Sequence, residues 1–278
     1  MISKNKRKRY QKTIAKFCLM DDTFMAKFFE NNIEDTEFLL HQILEDDKIR
    51  VEKVIGQYSI ANLQGHSSRL DIYAVDRYGN HFNVEVQRTN SGAIPKRARY
   101  HADMIDVNHL AVGEDYAALK DTYIIFITEK DVLHEDRIIS RIERSIQESG
   151  KLFNDGSHIV YVNGAKRGND SELARLLKDF FCSNPDDMHN KKLAQRARYL
   201  KFNEGGVTEM CELMEELARE EAEKAAKKGE KKGEKKARRE VAKNLLMDGL
   251  SIEQVSKNTR LSHEEVEKIA VRLGKKIA

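Results

Sequence analysis

Two stretches of the sequence decide the fold: Arg69-Leu70-Asp71-Ile72-Tyr73-Ala74-Val75 and, a few residues later, Phe82-Asn83-Val84-Glu85-Val86-Gln87. Both have the composition of β-strands, and the turn signal Arg77-Tyr78-Gly79-Asn80 lies between them, so we predict a β-hairpin. Antiparallel pairing about Tyr78 sets Asp71 opposite Glu85, and a loop shorter by one residue shifts the partner to Val86. In either register the two carboxylates lie on neighbouring strands, with Cα atoms about 4.5–5.5 Å apart where they are directly opposite.

The second of these strands divides its side chains between two faces, because successive residues of a strand point in opposite directions. The apolar face carries Phe82, Val84 and Val86, and the polar face carries Asn83, Glu85 and Gln87. We therefore expect one face to join a hydrophobic core and the other to present a carboxylate between two amides.

The carboxylate pair predicts a metal site. Two carboxylates this close raise each other's pKa unless a cation lies between them, and a hard divalent ion such as Mg²⁺ or Mn²⁺ suits oxygen ligands. The carbonyl of Val86 is a further candidate ligand. A bound ion activates water and stabilises charge on a phosphate, which suits phosphodiester hydrolysis. The alternative is that Asp71 and Glu85 are ordinary acids on the solvent face of a hairpin.

The rest of the chain predicts an α/β fold followed by helices. Apolar periodicity indicates helices at about 21–47, with Asn31, Asn32 and Asp35 as a candidate break between two helices, and at about 94–112, 171–182 and 189–203. It indicates strands at 51–60, 123–128 and 158–162. The run Tyr123–Thr128 is continuously apolar, as in a strand that is buried on both faces. The segment 138–146 has no clear assignment.

Charge is divided unevenly along the chain, although the net charge is only +3. Counting Lys and Arg against Asp and Glu gives +7 for residues 1–16, +4 for 221–240 and +2 for 241–278, which leaves −10 for the remainder. We therefore divide the chain into a basic N-terminal arm (1–16), an α/β domain (17–205), a charged helical connector (206–240) and a small helical unit (241–278). Such a partition indicates nucleic acid as a partner, and it is also found in solubilising extensions.

Cysteine usage and hydropathy indicate a cytoplasmic protein. The three cysteines are far apart and form no C-x-x-C pair, so neither a disulfide framework nor a zinc ribbon is expected. No apolar run approaches the roughly 18 residues of a membrane span, and the basic start is not followed by the apolar segment of a secretory signal.

The spacing of the carboxylate motif carries a resemblance to a known family. Asp71, a 13-residue gap and then Glu85-x-Gln87, placed after a strand and before a helix, resembles the core of PD-(D/E)XK nucleases. More specifically, the chain is similar to the PD-(D/E)XK nuclease family transposases, also called recombination-promoting nucleases, from about Asp21 to about Glu220. Supporting stretches are Asp21-x-x-Phe24-x-x-x-Phe28, Arg97-Ala98-Arg99-Tyr100, Gly113-x-x-Tyr116 with Tyr123–Thr128, and Gly205-Gly206-Val207-x-x-Met210-Cys211.

The resemblance implies a restriction-endonuclease-like mixed sheet flanked by helices and a Mg²⁺- or Mn²⁺-dependent DNA endonuclease linked to recombination or transposition. It implies that Asp71 and Glu85 bind the ion and that Gln87 positions water or phosphate. Asp21 is a further candidate acid, and it is equally well placed as a helix N-cap. Gln87 stands where the wider superfamily usually has Lys, so positive charge must come from the metal or from arginines.

Three arginines near the motif, Arg88, Arg97 and Arg99, are candidate contacts to DNA phosphates. For each of them the alternative is an ordinary solvated charge. An inactive nuclease-fold protein that binds DNA or protein is the competing function, and action on RNA is a third.

The C-terminal unit has the sequence pattern of a helix-turn-helix, with Ser251 and Ser262 as predicted N-caps. Its second helix begins His263-Glu264-Glu265, an acidic start that does not suit DNA reading. A protein-interaction role, including homo-oligomer formation through these helices, is therefore an equal alternative.

Overall fold

The computed structural model of the chain describes residues 3–62 and 65–274, with the side chain of Lys231 excepted. Residue contacts divide the chain into two units, Met1–Met214 and Glu215–Ala278. Within the described ranges, no helix has both the length and the apolar character that crossing a bilayer requires.

The first unit is built on one mixed sheet of six strands. These are β1 (Val51–Ile60), β2 (Ser68–Asp76), β3 (His81–Gln87), β4 (Thr122–Thr128), β5 (Ile139–Ile142) and β6 (Ser157–Asn163). Their order across the sheet is β1-β2-β3-β4-β6-β5. The first three strands form an antiparallel meander, β3, β4 and β6 run parallel, and β5 is antiparallel to β6.

Helices cover both faces of this sheet. They are α1 (Lys4–Ile14), α2 (Asp22–Phe29), α3 (Ile33–Leu44), α4 (Pro95–His109), α5 (Glu172–Phe181), α6 (Lys191–Phe202) and the start of α7 (Glu204–Met247). On one face, apolar residues of α2, α3, α5 and α6 pack against Phe82, Val84 and Val86. On the other face, α4 packs against residues that include Tyr73 and Phe126. The predicted α/β class with a mixed sheet between helices is confirmed.

The hairpin forms in the predicted register. Ile72 pairs with Val84, Tyr73 with Asn83 and Ala74 with Phe82. The two residue numbers of each pair sum to 156, as they do for pairing about Tyr78. The turn is closed by Asp76, whose side chain accepts hydrogen bonds from the backbone N–H groups of residues 78 and 80 at 2.9 Å. Gly79 supplies the left-handed backbone of the turn at φ 84°.

Several element boundaries differ from the prediction. The helical stretch 21–47 is two helices that separate at the candidate break, because Asn31 has φ 53° and Asn32 caps the second helix. The unassigned segment 138–146 contains β5, a short strand with no buried residue. Much of the predicted basic arm is helix α1, and its Tyr10 and Ile14 belong to the core of the first unit.

The second unit consists of the later part of α7 with α8 (Ile252–Thr259) and α9 (His263–Arg272). Its apolar cluster contains Ala242, Leu246, Val255, Leu261, Val266 and Ala270. Both predicted N-caps are confirmed: Ser251 forms a capping box with Gln254, and Ser262 accepts the backbone N–H of Glu265. Helix α7 runs without interruption through Gly229 and Gly233, although each glycine costs about 1 kcal/mol relative to Ala.

Candidate active site

Asp71 and Glu85 lie side by side on β2 and β3, and each is tied to the backbone of the neighbouring strand. The N–H of Asp71 donates to Glu85 Oε1 at 3.3 Å, and the N–H of Val86 donates to Asp71 Oδ2 at 3.1 Å. Glu85 is fully buried, with 0% exposure, and Asp71 is half-buried. The reading of this pair as solvent-facing surface acids is therefore wrong for Glu85, because α4 covers the polar face of β3.

The shared environment raises the pKa of both carboxyl groups. For Glu85 the larger cause is burial and the second is the charge of Asp71, and together they outweigh the nearby guanidinium of Arg97. Burial is also the main cause of the raised pKa of Asp71, opposed by its hydrogen bond from Val86. A buried pair of acids with raised pKa values is stable as two carboxylates only when positive charge is added.

Arg97 supplies one such charge from the first turn of α4. Its Nη2 donates to Glu85 Oε2 at 2.9 Å, and its Nη1 donates to the carbonyl of Gly92 at 2.8 Å. The side chain of Arg97 is 33% exposed. The guanidinium is thus held in place by its hydrogen bonds to Glu85 and to the Gly92 carbonyl, while part of the side chain still faces solvent.

Two further buried polar side chains support this ion pair. Arg97 Nε lies 3.3 Å from His101 Nε2, and Asn83 Nδ2 lies 3.1 Å from His101 Nδ1. Burial, with the charge of Arg97, lowers the pKa of His101 to about 4, so the ring is neutral at pH 7. In the described part of the chain Asn83 Oδ1 is buried without a hydrogen-bond partner.

Gln87 lies against the 3₁₀ turn Asn90–Gly92 that leads into α4. A Cβ atom placed on Gly92 would lie 1.8 Å from Gln87 Oε1, so the end of the Gln87 side chain would have to move. Gly92 also accepts the hydrogen bond from Arg97. The absence of a side chain at Gly92 therefore allows Gln87 to lie in this position, against the same turn whose carbonyl binds Arg97.

Asp21 and Arg88 form a separate cluster. Asp21 precedes α2, but its side chain makes no capping bond to that helix; Oδ2 instead accepts the backbone N–H of Cys18 at 2.8 Å. Arg88 pairs with Asp21 and with Glu129, both at 3.1 Å. The structure thus binds Asp21 and Arg88 to each other, and neither forms a hydrogen bond to Asp71 among the contacts of the described residues.

Other charges reach the site from positions that the sequence reasoning did not single out. The charge of Asp22, an exposed residue in the first turn of α2, helps to raise the pKa of Asp71, and that of Arg69 lowers it. Arg69 lies two residues before Asp71 on β2, and period 2 puts both on one face. Arg99 is exposed on α4 and makes no ion pair with any described residue.

The donor set fits a hard divalent ion. Mg²⁺ is commonly held by one or two carboxylates and completes its coordination with water. Asp71 Oδ1 has no hydrogen-bond partner among the described residues, so it is free to act as a ligand beside Glu85. The described part of the chain contains no group of three or more His, Cys, Asp and Glu side chains arranged to hold an ion. Water, or the predicted Val86 carbonyl, would have to complete the coordination.

Comparison with protein families gives the site its context. A family model described as PD-(D/E)XK nuclease family transposase matches residues 30–244, which is well over half of the chain. The chain belongs to this family. No curated protein and no solved structure matched the chain.

The PD-(D/E)XK match contains Asp71, Glu85, Gln87 and Arg97, and it begins just after α2, so the predicted Asp21 motif lies outside it. Membership supports a nuclease or transposase role, and nucleases of this type generally use divalent metal ions.

Sequence reasoning placed Asn83 on the same face as Glu85 but gave it no role, and it missed His101 and Gly92 as parts of the site. One signal was present: His101 follows Arg97 by four residues, which places the two on one face of a helix. The role of Gly92 had no comparable signal, because it depends on how the turn approaches β3.

Proposed function

We propose that the protein is a metal-dependent DNA endonuclease that hydrolyses phosphodiester bonds. The observation that supports this best is the Asp71–Glu85 pair, in which both carboxyl pKa values are raised although Arg97 forms an ion pair with Glu85. Asp71 and Glu85 would hold Mg²⁺ or Mn²⁺, with the Val86 carbonyl as a further ligand. A bound divalent ion supplies an activated water and offsets charge on the phosphate.

The side chains around the pair have distinct roles in this proposal. Arg97 holds Glu85 in position at 2.9 Å and presents its exposed edge to a phosphate oxygen. Gln87 orients water or phosphate through neutral hydrogen bonds, since an amide both donates and accepts. Arg99, which is exposed and unpaired with described residues, contacts the DNA backbone further from the reacting phosphate.

The remaining expectations keep the status of proposals. Asp21 and Arg88 would act through the loop that they hold together. A cytoplasmic role in recombination or transposition, the four-part division of the chain and homo-oligomer formation through the C-terminal helices all rest on the sequence and the family.

One observation favours a second function, that of an inactive nuclease-fold module that binds DNA or protein. The guanidinium of Arg97 already pairs with Glu85, so a metal ion has to share this carboxylate with a bound cation. In the inactive form the arginine would replace the ion permanently.

Cleavage of supercoiled plasmid by the full-length protein separates these functions. We expect nicked and linear products with Mg²⁺ or Mn²⁺ and none in EDTA, because the carboxylate pair needs the ion's charge. Binding without nicking under either ion would favour the inactive module. A matched RNA substrate run in parallel should be cut more slowly than the DNA. Preferential cleavage of RNA would indicate that RNA is the substrate.

A further inference from the structure

Helix α7 carries a row of lysines on one face within the second unit. Lys228, Lys232, Lys236 and Lys243 are exposed. At 100° per residue they fall within an arc of about 80°, and at a 1.5 Å rise they extend over about 22 Å. We call these four residues the lysine stripe.

The stripe differs from an ordinary solvated charge run in two respects. Its four lysines form no ion pair with any described residue, whereas two other cations of the helix are paired within it: Lys224 with Glu220, and Arg238 with Glu234. Three acids of this stretch, Glu223, Glu230 and Glu234, project from the opposite face of the helix, whereas Glu221 and Glu240 lie at the two ends of the lysine face.

The acidic start of α9 is neutralised in the same unit. Glu265 pairs with Lys235 at 2.7 Å and with Arg239 at 3.1 Å, and Glu264 pairs with Lys268 one turn further along α9. The predicted repulsion between this helix start and phosphate is thereby reduced. The exposed cations of this part of α7, from Lys224 onward, that form no ion pair with a described residue are Lys227 and the four residues of the lysine stripe.

We propose that the lysine stripe is a DNA-backbone contact surface, separate from the catalytic residues. Its charge complements duplex DNA, which carries one negative charge per about 1.7 Å of axis, and its lysines recur at i, i+4 and i+8 along about 22 Å. Lysine ammonium groups on flexible stems bind phosphates without reading bases, so this contact is independent of sequence. The proposal rests on the proposed function, because it takes DNA to be the protein's substrate.

The test is the salt dependence of DNA binding by the full-length protein in EDTA, where cleavage does not occur. The stripe variant replaces Lys228, Lys232, Lys236 and Lys243 with Gln. The matched control replaces Lys224, Lys227, Arg238 and Lys268 with Gln, which removes the same charge from the same unit but leaves the stripe intact. Fluorescence anisotropy with a 30-base-pair duplex between 50 and 200 mM KCl gives the affinity and its slope against salt.

Each phosphate contact contributes about 0.9 to the slope of log K against log salt. We expect the stripe variant to lose about 3 to 4 from this slope and at least about tenfold in affinity at 100 mM KCl, while the control changes by less than about threefold. Thermal unfolding confirms that both variants are folded. Equal losses in the two variants would show that only net charge matters and would overturn the proposal.

Two further outcomes also overturn it. One is an unchanged salt slope for the stripe variant on duplex DNA. The other is a loss of affinity that is seen only when single-stranded RNA or anionic vesicles replace the duplex. Failure of the proposed nuclease function is visible separately. In that case the wild-type protein would not nick plasmid in Mg²⁺, and the slope difference between the two variants would still be measurable.

Discussion

Glu85→Gln should abolish metal-dependent DNA cleavage while leaving the protein folded. The substitution keeps the shape of the side chain and an oxygen that can accept the hydrogen bond from Arg97, but it removes the charge that would hold the ion. We expect the rate of plasmid nicking in Mg²⁺ to fall at least about a thousandfold, since the loss of one electrostatic stabiliser of a transition state already costs about 10²–10³. Asp71→Asn should have an effect of the same order.

The same variant should stabilise the metal-free protein at high pH. The pKa of Glu85 is higher in the folded state than its ordinary value of 4.5. Between the ordinary pKa and the raised pKa, the folded state therefore binds more protons than the unfolded state. Stability is therefore lost as pH rises through this window, and Gln, which has no proton to lose, removes that loss. Thermal unfolding in EDTA at pH 5 and at pH 8.5 should show a wild-type midpoint that falls relative to Glu85→Gln.

A variant that is inactive and also less stable at both pH values would indicate a structural role for Glu85. A variant that retains cleavage within about threefold of the wild type would remove Glu85 from the proposed site.

Arg97→Gln should lower the turnover rate by about 10²–10³, the size expected for loss of a preorganised cation beside the reacting phosphate. Arg97 is the only residue that forms an ion pair with Glu85 by a permanent charge among the described residues. The turnover rate of Arg97→Lys should be intermediate. Lysine keeps the charge but lacks the planar guanidinium, which donates to Glu85 and to the Gly92 carbonyl at the same time.

Arg99→Gln is the matched control for Arg97, since both arginines lie in the first half of α4 and only Arg97 contacts Glu85. We expect Arg99→Gln to raise KM for DNA and to leave kcat within about threefold, as for a backbone contact. Metal affinity distinguishes the roles further, because Arg97→Gln should bind Mn²⁺ at least as well as the wild type once the competing guanidinium is gone. Equal kcat losses for the two arginines would contradict a specific role for Arg97.

The hairpin could be predicted from the sequence in detail. Alternation of apolar and polar residues defines the strands, and a turn with Gly79 at its left-handed position sets the register. The match of Ile72 with Val84 follows from these local rules. The sequence therefore predicts that Asp71 and Glu85 lie on neighbouring strands, as they do in the fold.

The burial of Glu85 could not be predicted, because alternation tells which residues share a face and not what covers that face. Here α4 covers it, and the path of α4 is set by contacts with β4 and β1 that are remote in sequence. The pairing of Arg97 with Glu85 depends on the same packing. The hydrogen bonds of Arg97 to Gly92 and His101 are local, but their importance is visible only once Glu85 lies beside them.

Two other differences have local causes. Asp21 and Asp22 are adjacent at the start of α2, and periodicity does not distinguish their roles. The fold directs Asp21 toward Cys18 and Arg88 and places the charge of Asp22 near Asp71. The continuity of α7 reflects many Ala, Glu and Lys residues whose helix propensity offsets two glycines.

Titration of the full-length protein with Mn²⁺ by isothermal calorimetry, beside Asp71→Asn, tests most directly whether the carboxylate pair holds a divalent ion. The wild type should bind Mn²⁺ at this site and release protons on binding, seen as a buffer-dependent heat, because carboxyl groups with raised pKa must lose protons to become ligands. Asp71→Asn should lose this binding event. Unchanged Mn²⁺ binding by the variant, or no binding by the wild type, would contradict the proposed metal site.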